Sequence, residues 1–271
     1  MTRPRGGGRR RPPPLRAHVL RSVMVTPSLA RVTVGGEALA GFTFPGPASH
    51  FKLFLPAPGE REVDLPGPGA DGLVTVDPAV PRIMRTYTAR RFDRLRRELD
   101  IDLVLHSDGP AAHWAANVTP GDRIALSSPR ASGFTLPTDA TWLLLGGDTS
   151  AVPAIATILE SDLTVETTCL IEISDPTEVI DLPTHGSREV RWSLRDPSAA
   201  PGSCLLHHLR SRDLPPTPGF VWIAGEAASI RQARQYLLTE HGLDRDHVVT
   251  RGYWRTGAAN HPDHDYGDDL Q

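Results

Sequence analysis

The chain has 271 residues and a formal net charge of −3 at pH 7, with 29 basic and 32 acidic residues. Hydrophobic residues make up 39% of it and charged residues 23%, as in ordinary globular proteins, and the length allows two domains of ordinary size. The near-neutral charge excludes a general nucleic-acid-binding surface. Because no run approaches the roughly 20 apolar residues that span a bilayer, we predict no membrane insertion.

The N-terminal segment, residues 1–16, is rich in Arg, Gly and Pro and contains six arginines but no acidic residue. Such a composition cannot bury an apolar core, so we predict a disordered basic tail. No apolar segment follows it, as one would in a secretory signal, and the two cysteines, Cys169 and Cys204, have no CxxC or metal-site spacing. We therefore expect a cytoplasmic protein with two reduced thiols and no protein metal site.

Residues 17–136 contain short segments rich in Val, Thr, Phe and Leu that are separated by Gly and Pro. Strands at this spacing, with no long helix between them, predict an antiparallel β-barrel domain. One short helix is predicted at residues 111–118. The predicted strands are AHVLRSVMV, ARVTVGG, GFTFPG, HFKLFLP, GLVTV, IMRTYTARRF, LDIDLVLH and DRIALSSP.

Strands and helices alternate in residues 140–257, which is the pattern of a parallel sheet with crossover helices. We therefore predict an α/β nucleotide-binding domain here, a boundary near 137–140, and an acidic tail at residues 258–271. The fold class is thus an antiparallel β-barrel followed by a parallel-sheet α/β domain. The predicted strands are TWLLLGG, TVETTCLIEIS, GFVWIAG and HVVTRGYWR, and the predicted helices are TSAVPAIATILE, SCLLHHLRSR and EAASIRQARQYLLTEHG.

The motif RTYTAR, residues 85–90, lies late in the predicted barrel. On a strand, Arg85 and Tyr87 share one face while Thr86 and Thr88 share the other. An arginine beside an aromatic ring can hold a diphosphate while the ring packs on a flat heterocycle, and a threonine hydroxyl close by can bond a ring nitrogen. The motif therefore predicts a cofactor site, with a half-buried strand bearing exposed arginines as the alternative.

The segment HSDGPAAHWA, residues 106–115, combines an Asp-Gly-Pro turn with the start of the predicted helix. Free backbone N–H groups at a helix N-terminus bind anions, so this turn is a candidate diphosphate site. His106 either caps the loop or points into the site, and Trp114 belongs either to the core or to the cofactor contact. The residues expected at the anion are Gly109, Pro110, Ala111 and Ala112.

Two further turns follow strands of the predicted parallel sheet, and ligands of such sheets bind at the carboxyl ends of the strands. In LLLGGDTSAVPAI, residues 143–155, glycines allow close approach and hydroxyls can donate to phosphate or ribose. In VWIAGEAASIRQAR, residues 221–234, Glu226 lies at the level of the ligand or, alternatively, caps the following helix. The candidate nucleotide-binding residues are Gly147, Asp148, Thr149, Ser150, Gly225 and Glu226.

Six stretches, in this order and at these spacings, resemble the siderophore-interacting protein family, which comprises ferric-siderophore reductases of the ferredoxin-reductase superfamily. RTYTAR resembles the R-x-Y-[ST] flavin signature of that superfamily. The likeness covers about residues 17–257. The stretches stand here as His50/Lys52/Leu53, Arg85/Tyr87/Thr88/Arg90, His106/Gly109/Pro110/Trp114, Asp148/Pro153/Ile155, Ala224/Gly225/Glu226/Arg231 and Gly252/Tyr253/Trp254/Arg255.

The resemblance implies that residues 17–136 bind FAD and residues 140–257 bind NAD(P)H. It implies hydride transfer from nicotinamide to flavin, then single-electron transfer to the Fe(III) of an anionic ferric siderophore. Hard oxygen donors hold Fe(III) far better than Fe(II), so reduction would release the iron. Arginines near 188–195 or Arg231 could hold a 2′-phosphate, so the choice between NADPH and NADH stays open.

This chain departs from the family pattern at three positions. Thr149 stands where the family has Glu, Ser150 where it has Thr, and Ser128 where Gly is common. The first two bear on nicotinamide binding, so a siderophore-binding protein without reductase activity is one alternative. A related NAD(P)H–flavin oxidoreductase with another electron acceptor is a second. We expect a monomer.

Lys52 is the single lysine among the 29 basic residues. It lies in the predicted strand HFKLFLP, with Phe51 and Leu53 on the opposite face. A compact ammonium suits a globular polyanion, whereas a guanidinium suits flat bidentate partners. With the family resemblance we predict a cationic substrate pocket, and a solvent-facing lysine is the alternative. The pocket would comprise Lys52, Arg130, Arg251 and Arg255.

Overall fold

The computed structural model of the protein describes residues 13–65, 83–105, 109–129, 131–184, 186–211, 214–215, 218–258 and 261. The strands in these ranges form two sheets, one antiparallel and one parallel. No helix in the same ranges has the length and apolar character needed to cross a membrane.

The N-terminal sheet is antiparallel in every strand pair. Its strands are β1 (Leu15–Thr26), β2 (Leu29–Gly35), β3 (His50–Leu55), β4 (Ile83–Thr88), β5 (Arg91–Asp93), β6 (Glu98–Val104) and β7 (Arg123–Leu126). In the described part of the chain they follow the order β4-β3-β7-β1-β2-β6-β5 and form a half-barrel, which confirms the predicted antiparallel barrel class. Leu15 and Arg16 pair with β7, so the last two residues of the predicted tail belong to β1.

The core of the half-barrel follows from the alternation of side chains along its strands. On β3, Phe51, Leu53 and Leu55 are buried, whereas Lys52 and Phe54 are only partly buried. The prediction that Phe51 and Leu53 enter the core on the face opposite Lys52 is therefore confirmed.

The segment GFTFPG, residues 41–46, was predicted as a strand, and this prediction is wrong. A short 3₁₀ helix, Glu37–Gly41, precedes it, and Phe42 inserts into the barrel core instead of pairing in the sheet. Gly46 has a φ of 151°, which L side chains rarely adopt and which breaks an extended strand. The predicted strand GLVTV lies outside the described residues.

The C-terminal sheet is parallel in every strand pair, as the alternation of strands and helices predicted. Its strands are β8 (Trp142–Asp148), β9 (Glu166–Ile173), β10 (Arg188–Leu194), β11 (Gly219–Glu226) and β12 (Val248–Trp254), and in the described ranges their order is β10-β9-β8-β11-β12. The α-helices of the described chain are α1 (Pro110–Asn117), α2 (Val152–Leu159), α3 (Ser203–Ser211) and α4 (Ala227–Thr239). Helix α1 packs on the barrel, and the other three belong to the parallel sheet.

Strand β10 is absent from the sequence prediction. It is the outermost strand beside β9, and its residues are at most partly buried. Only Val190 and Trp192 pack against the core, so the sequence REVRWSL lacks the continuous apolar run that identified β8 and β11.

The two sheets meet at a joint formed by Ala48, before β3, and the linker after β7. The Ala48 N–H donates to Thr157 Oγ1 on α2 at 2.8 Å, and Trp222 Nε1 donates to the Gly133 carbonyl at 3.0 Å. A Cβ atom on Gly133 would lie 2.1 Å from the Ala48 carbonyl oxygen, so the joint requires glycine there. Ala48 and Phe134 belong to the core of the parallel sheet. The joint therefore holds α2 and β11 of the parallel sheet against the barrel.

Candidate functional site

A cavity of about 550 Å³ lies where the two sheets meet. Its walls come from β4, from the N-terminus of α1, and from the end of β12 with the residues that follow it. Ser150 and Pro153, at the start of α2, line it on the side of the parallel sheet. A volume of this size is typical of cofactor and ligand sites. The cavity thus brings together residues 85–88, 109–112 and 251–258.

Strand β4 places all four of its predicted cofactor residues on the cavity wall: Arg85, Thr86, Tyr87 and Thr88. The alternation of side chains along a strand would direct only two of these four residues toward one face. Strand β4 is the outermost strand of the described sheet, so the cavity reaches both of its faces. Burial raises the pKa of the Tyr87 phenol to about 12, against the opposing effect of the Arg85 guanidinium. Tyr87 is therefore neutral at pH 7 and offers the cavity an uncharged ring.

Helix α1 begins at the cavity without a side-chain cap from any described residue. Gly109 is its N-cap residue, and a Cβ atom added there would meet no described atom within 4 Å. The N–H groups of a first helical turn are the donors that an anion needs. The predicted contacts Gly109, Pro110, Ala111 and Ala112 all line the cavity, on the same wall as Arg85.

The end of β12 joins the two sheets through hydrogen bonds. The Tyr253 hydroxyl is hydrogen-bonded to the Thr88 side chain, and Trp254 Nε1 donates to Asp148 Oδ2 at 2.8 Å. Burial raises the pKa of the Tyr253 phenol to about 12, so this group is also neutral at pH 7. The stretch TRGYWRTG, residues 250–257, is therefore part of the cavity wall. Its cavity-lining residues include Arg251, Gly252, Tyr253, Trp254 and Arg255.

Asp148, at the end of β8, organises the turn behind this wall. Its Oδ1 accepts from the Ser150 N–H at 2.9 Å and from the Ser150 hydroxyl, and its Oδ2 accepts from the Glu226 N–H at 3.0 Å and from Trp254. Burial raises the pKa of Asp148, while these four donors oppose that shift because they stabilise the carboxylate. Asp148 therefore ties β8, β11 and β12 to one another.

Of the six residues predicted to bind a nucleotide on the parallel sheet, Ser150 is the one that lines the described cavity. A Cβ atom on Gly147 would lie 2.1 Å from the Ala224 carbonyl oxygen, and one on Gly225 would lie 2.6 Å from Asp148 Oδ2. These glycines therefore permit close packing of β8 and β11. Glu226 accepts from the Ser229 N–H at 2.9 Å and caps α4, and Thr149 begins the 3₁₀ turn before α2.

Lys52 lies beside the cavity and does not line it. Its Nζ donates to Thr86 Oγ1 at 2.7 Å, and Thr86 is part of the wall. Trp114 packs against the barrel core and does not line the cavity either. The other two predicted site residues, His106 and Arg130, lie outside the described residues.

His50 and Asp102 also line the cavity, although they were not among the predicted site residues. Asp102 is 3% exposed and is held by Arg31, whose Nε and Nη2 donate to its two carboxylate oxygens at 2.6 and 2.8 Å. A signal for it was available, because an acidic residue between two buried positions of a strand needs a cation close by. The hydrogen bond to Asp102 raises the pKa of Arg31, so this guanidinium stays charged.

Comparison with known proteins identifies the family. Residues 18–133 match the family model described as "Siderophore-interacting FAD-binding domain", and residues 140–257 match the one described as "Siderophore-interacting protein". The chain belongs to the siderophore-interacting protein family. The family predicted from the six stretches is therefore confirmed, and its FAD-binding domain coincides with the described half-barrel.

Relatives of this siderophore-interacting protein cover nearly the same length. Ferric vibriobactin reductase ViuB of Vibrio cholerae is 30% identical over 252 residues, which are 91% of each chain. The NADPH-dependent ferric-chelate reductase of Escherichia coli is 31% identical over 240 residues, 87% of this chain and 91% of that one. The crystal structure of a siderophore utilization protein from T. fusca has 35% identity and a TM-score of 0.82, and the match covers 94% of this chain and 98% of that one.

Proposed function

We propose that this siderophore-interacting protein reduces ferric siderophores, with NAD(P)H as the electron donor and bound FAD as the carrier. The observation that carries the proposal is the cavity, where β4 and the first turn of α1 meet the end of β12 and Ser150 of the parallel sheet. Its family, and two relatives that are named as reductases, support the proposal independently.

In this proposal the half-barrel holds FAD. Arg85 and the first turn of α1 supply the guanidinium and N–H donors that a diphosphate needs, and Gly109 at the start of that turn lines the cavity. Tyr87 packs against the barrel core and offers its neutral ring to an aromatic heterocycle. The residues present on this wall therefore fit the cofactor.

The nicotinamide cofactor approaches, in this proposal, from the turn after β8. Ser150 and Pro153 line the cavity there, and Asp148 fixes the turn through its four hydrogen bonds. Internal donors, the Ser150 hydroxyl among them, engage the carboxylate of Asp148, so the Ser150 oxygen serves as an acceptor and the donors to this cofactor are Arg251 and Arg255. Position 150 keeps a hydroxyl although it is Ser where the family has Thr, and this supports nicotinamide binding by this chain.

The ferric siderophore is proposed to bind where positive charge faces the cavity. Arg85, Arg251 and Arg255 line it, and Lys52 lies directly behind Thr86. Asp102 is the acidic residue on the described wall, and its charge is offset by Arg31. An anionic chelate therefore meets net positive charge, to which Arg130 of the linker would add.

The half-barrel would hold FAD, which would supply a carrier able to take a hydride from NAD(P)H and pass single electrons to Fe(III); the resulting Fe(II) would be held weakly by hard oxygen donors. The protein orients the bound groups, excludes water between the two sheets and supplies the positive charge. Cys169 and Cys204 are unpaired thiols. Together with a nicotinamide donor they fit a reducing compartment, and we assign the reaction to the cytoplasm.

Anaerobic mixing of the FAD-loaded protein with NADPH or NADH tests the proposal. We expect the flavin absorbance to bleach, and a ferric tris-catecholate to restore it while a ferrous chelator records Fe(II). A flavin that neither nucleotide bleaches would contradict the proposal and favour a siderophore-binding protein without reductase activity. Bleaching followed by reoxidation with another acceptor, but not with ferric chelates, would favour a different oxidoreductase.

A further inference from the structure

Helix α2 faces the barrel with one stripe of residues. Pro153, Thr157 and Glu160 are spaced four and three residues apart, so they lie on the same side of the helix. Pro153 lines the cavity, Thr157 Oγ1 accepts the Ala48 N–H, and Glu160, the C-cap residue, accepts from Arg90. The stripe therefore runs from the cavity along the joint between the two sheets.

Arg90, two residues after β4, lies between two carboxylates. Its Nη1 and Nη2 donate to Glu160 Oε2 and Oε1 at 2.7 and 2.5 Å, and its Nε lies 3.6 Å from Asp102 Oδ2. The Arg90 side chain is only 12% exposed. A planar fork with several donors can bridge two carboxylates in this way, whereas an ammonium would act as a single point charge.

The link to Glu160 adds nothing that the barrel itself requires. Asp102 already has a bidentate partner in Arg31, which belongs to the same sheet. Glu160 belongs to α2, so its pair with Arg90 forms only when the parallel sheet is docked against the barrel. Asp102 and Pro153 both line the cavity. The connection from Asp102 through Arg90 and Glu160 to α2, which bears Pro153, therefore joins the two sides of the cavity.

We propose that Arg90 is a positioning residue that fixes α2, and with it the turn bearing Ser150, at a set distance from β4. Arg90 does not line the described cavity and acts through Glu160 and Asp102. The inference rests on the proposed function because it takes the two cavity walls to hold the flavin and the nicotinamide. The distance between these walls decides how well the two groups are aligned, and such alignment governs rate more than affinity.

Hydrogen–deuterium exchange of the FAD-loaded, full-length protein measures the joint directly. The Ala48 N–H is the reporter, because it is donated to Thr157 across the joint. In Glu160→Ala and in Arg90→Met we expect this amide to exchange about two- to fivefold faster, because each variant removes a partly exposed ion pair. The exchange of the β2 amides should stay unchanged. Glu160→Ala carries little risk to folding, because that side chain is 44% exposed.

The kinetic arm separates positioning from binding. At saturating NAD(P)H we expect flavin bleaching to slow by about the same two- to fivefold factor in both variants, while the dissociation constants of NAD(P)H and FAD stay unchanged. Arg90→Lys should behave like Arg90→Met, because it cannot reach both carboxylates. Glu98→Gln is the matched control, since Glu98 accepts from Arg21 at 3.0 Å within the barrel. Glu98→Gln should change neither the exchange of the Ala48 amide nor the rate of flavin bleaching.

Unchanged exchange at Ala48 in both Glu160→Ala and Arg90→Met would overturn the inference. Equal acceleration in Glu98→Gln would also overturn it, because the effect would then be general destabilisation. A wild-type flavin that NAD(P)H cannot bleach would instead contradict the proposed function. In that case the exchange at Ala48 still decides whether Arg90 holds the two sheets together.

Discussion

The helix N-termini around the cavity differ between the two halves of the molecule. On the barrel, α1 starts at Gly109 with no described side chain capping it, and its first turn lines the cavity. On the parallel sheet, carboxylates that are buried or half-buried receive the N–H groups of the turns into α2, α3 and α4. Asp148 accepts from Ser150, Glu172 from Gly202 and Cys204, and Glu226 from Ser229.

This difference indicates where the negative charge of a ligand can be received. An uncapped N-terminus leaves N–H donors and the positive end of the helix dipole open to an anion. A terminus that already holds a carboxylate is satisfied, and its buried charge repels a second anion. The barrel is therefore suited to a diphosphate at α1, whereas phosphates on the other side must rely on arginine and hydroxyl groups.

The largest expected effect is on stability, from Asp148→Ala. The substitution leaves the Glu226 N–H and the Trp254 indole without an acceptor in a half-buried turn, so the free energy of unfolding should fall by about 3 kcal/mol. Urea unfolding followed by circular dichroism measures it. Asp148→Asn, which keeps one acceptor oxygen, should lose less. Weaker FAD binding at unchanged stability would contradict the difference between the two halves, because the Asp148 carboxylate would then contact the ligand instead of capping a turn.

Arg85→Ala should do the opposite of Asp148→Ala: it should weaken cofactor binding and leave the stability of the protein nearly unchanged. We expect it to weaken FAD binding by about 1.5–3 kcal/mol through loss of a charge-assisted phosphate contact, and to change the stability of the FAD-free protein by less than about 0.5 kcal/mol. Titration of flavin fluorescence measures the affinity. Arg91→Ala is the control, because Arg91 is exposed and lies outside the cavity. Full FAD affinity in Arg85→Ala would remove the anion site from this wall.

Alkaline pH tests the contact between the two halves. Burial raises the pKa of Tyr253 and of Tyr87 from 10.0 to about 12 in the folded protein. Their contribution to stability is therefore intact below pH 10, and it is lost as the pH rises from 10 to 12, since the unfolded chain releases these protons first. Denaturation between pH 9 and pH 12 should show a smaller loss in Tyr253→Phe. An identical alkaline slope in that variant would mean that the Tyr253 phenol is not buried against Thr88.

The smallest effect is expected from Lys52→Ala. Lys52 lies behind Thr86, so the substitution should weaken ferric-siderophore binding by at most about 1 kcal/mol at low salt. The loss should shrink as salt screens the attraction, and Lys52→Arg should recover part of it. Calorimetry at two ionic strengths measures this, with FAD content as the control. Unchanged affinity at low salt would exclude Lys52 from substrate binding.

Local sequence patterns were sufficient to predict both sheets. The alternation on β3 placed Phe51 and Leu53 in the core, and the continuous apolar runs of β8 and β11 predicted strands that are buried on both faces. The same reasoning failed where the pattern is weak. Strand β10 lies outermost beside β9 and carries charged residues, so its sequence shows little apolar signal.

The sequence by itself determined most of the strands and helices, the family and the short motifs, because each depends on residues only a few positions apart. Only the tertiary structure decided which motifs share a cavity and which carboxylates serve as helix caps. Trp254 reaches Asp148 across 106 residues of sequence, Tyr253 meets Thr88, and Glu172 caps a helix 30 residues away. The physical reason is that such partners are chosen by how whole buried surfaces pack together, and no local pattern of side chains specifies that packing.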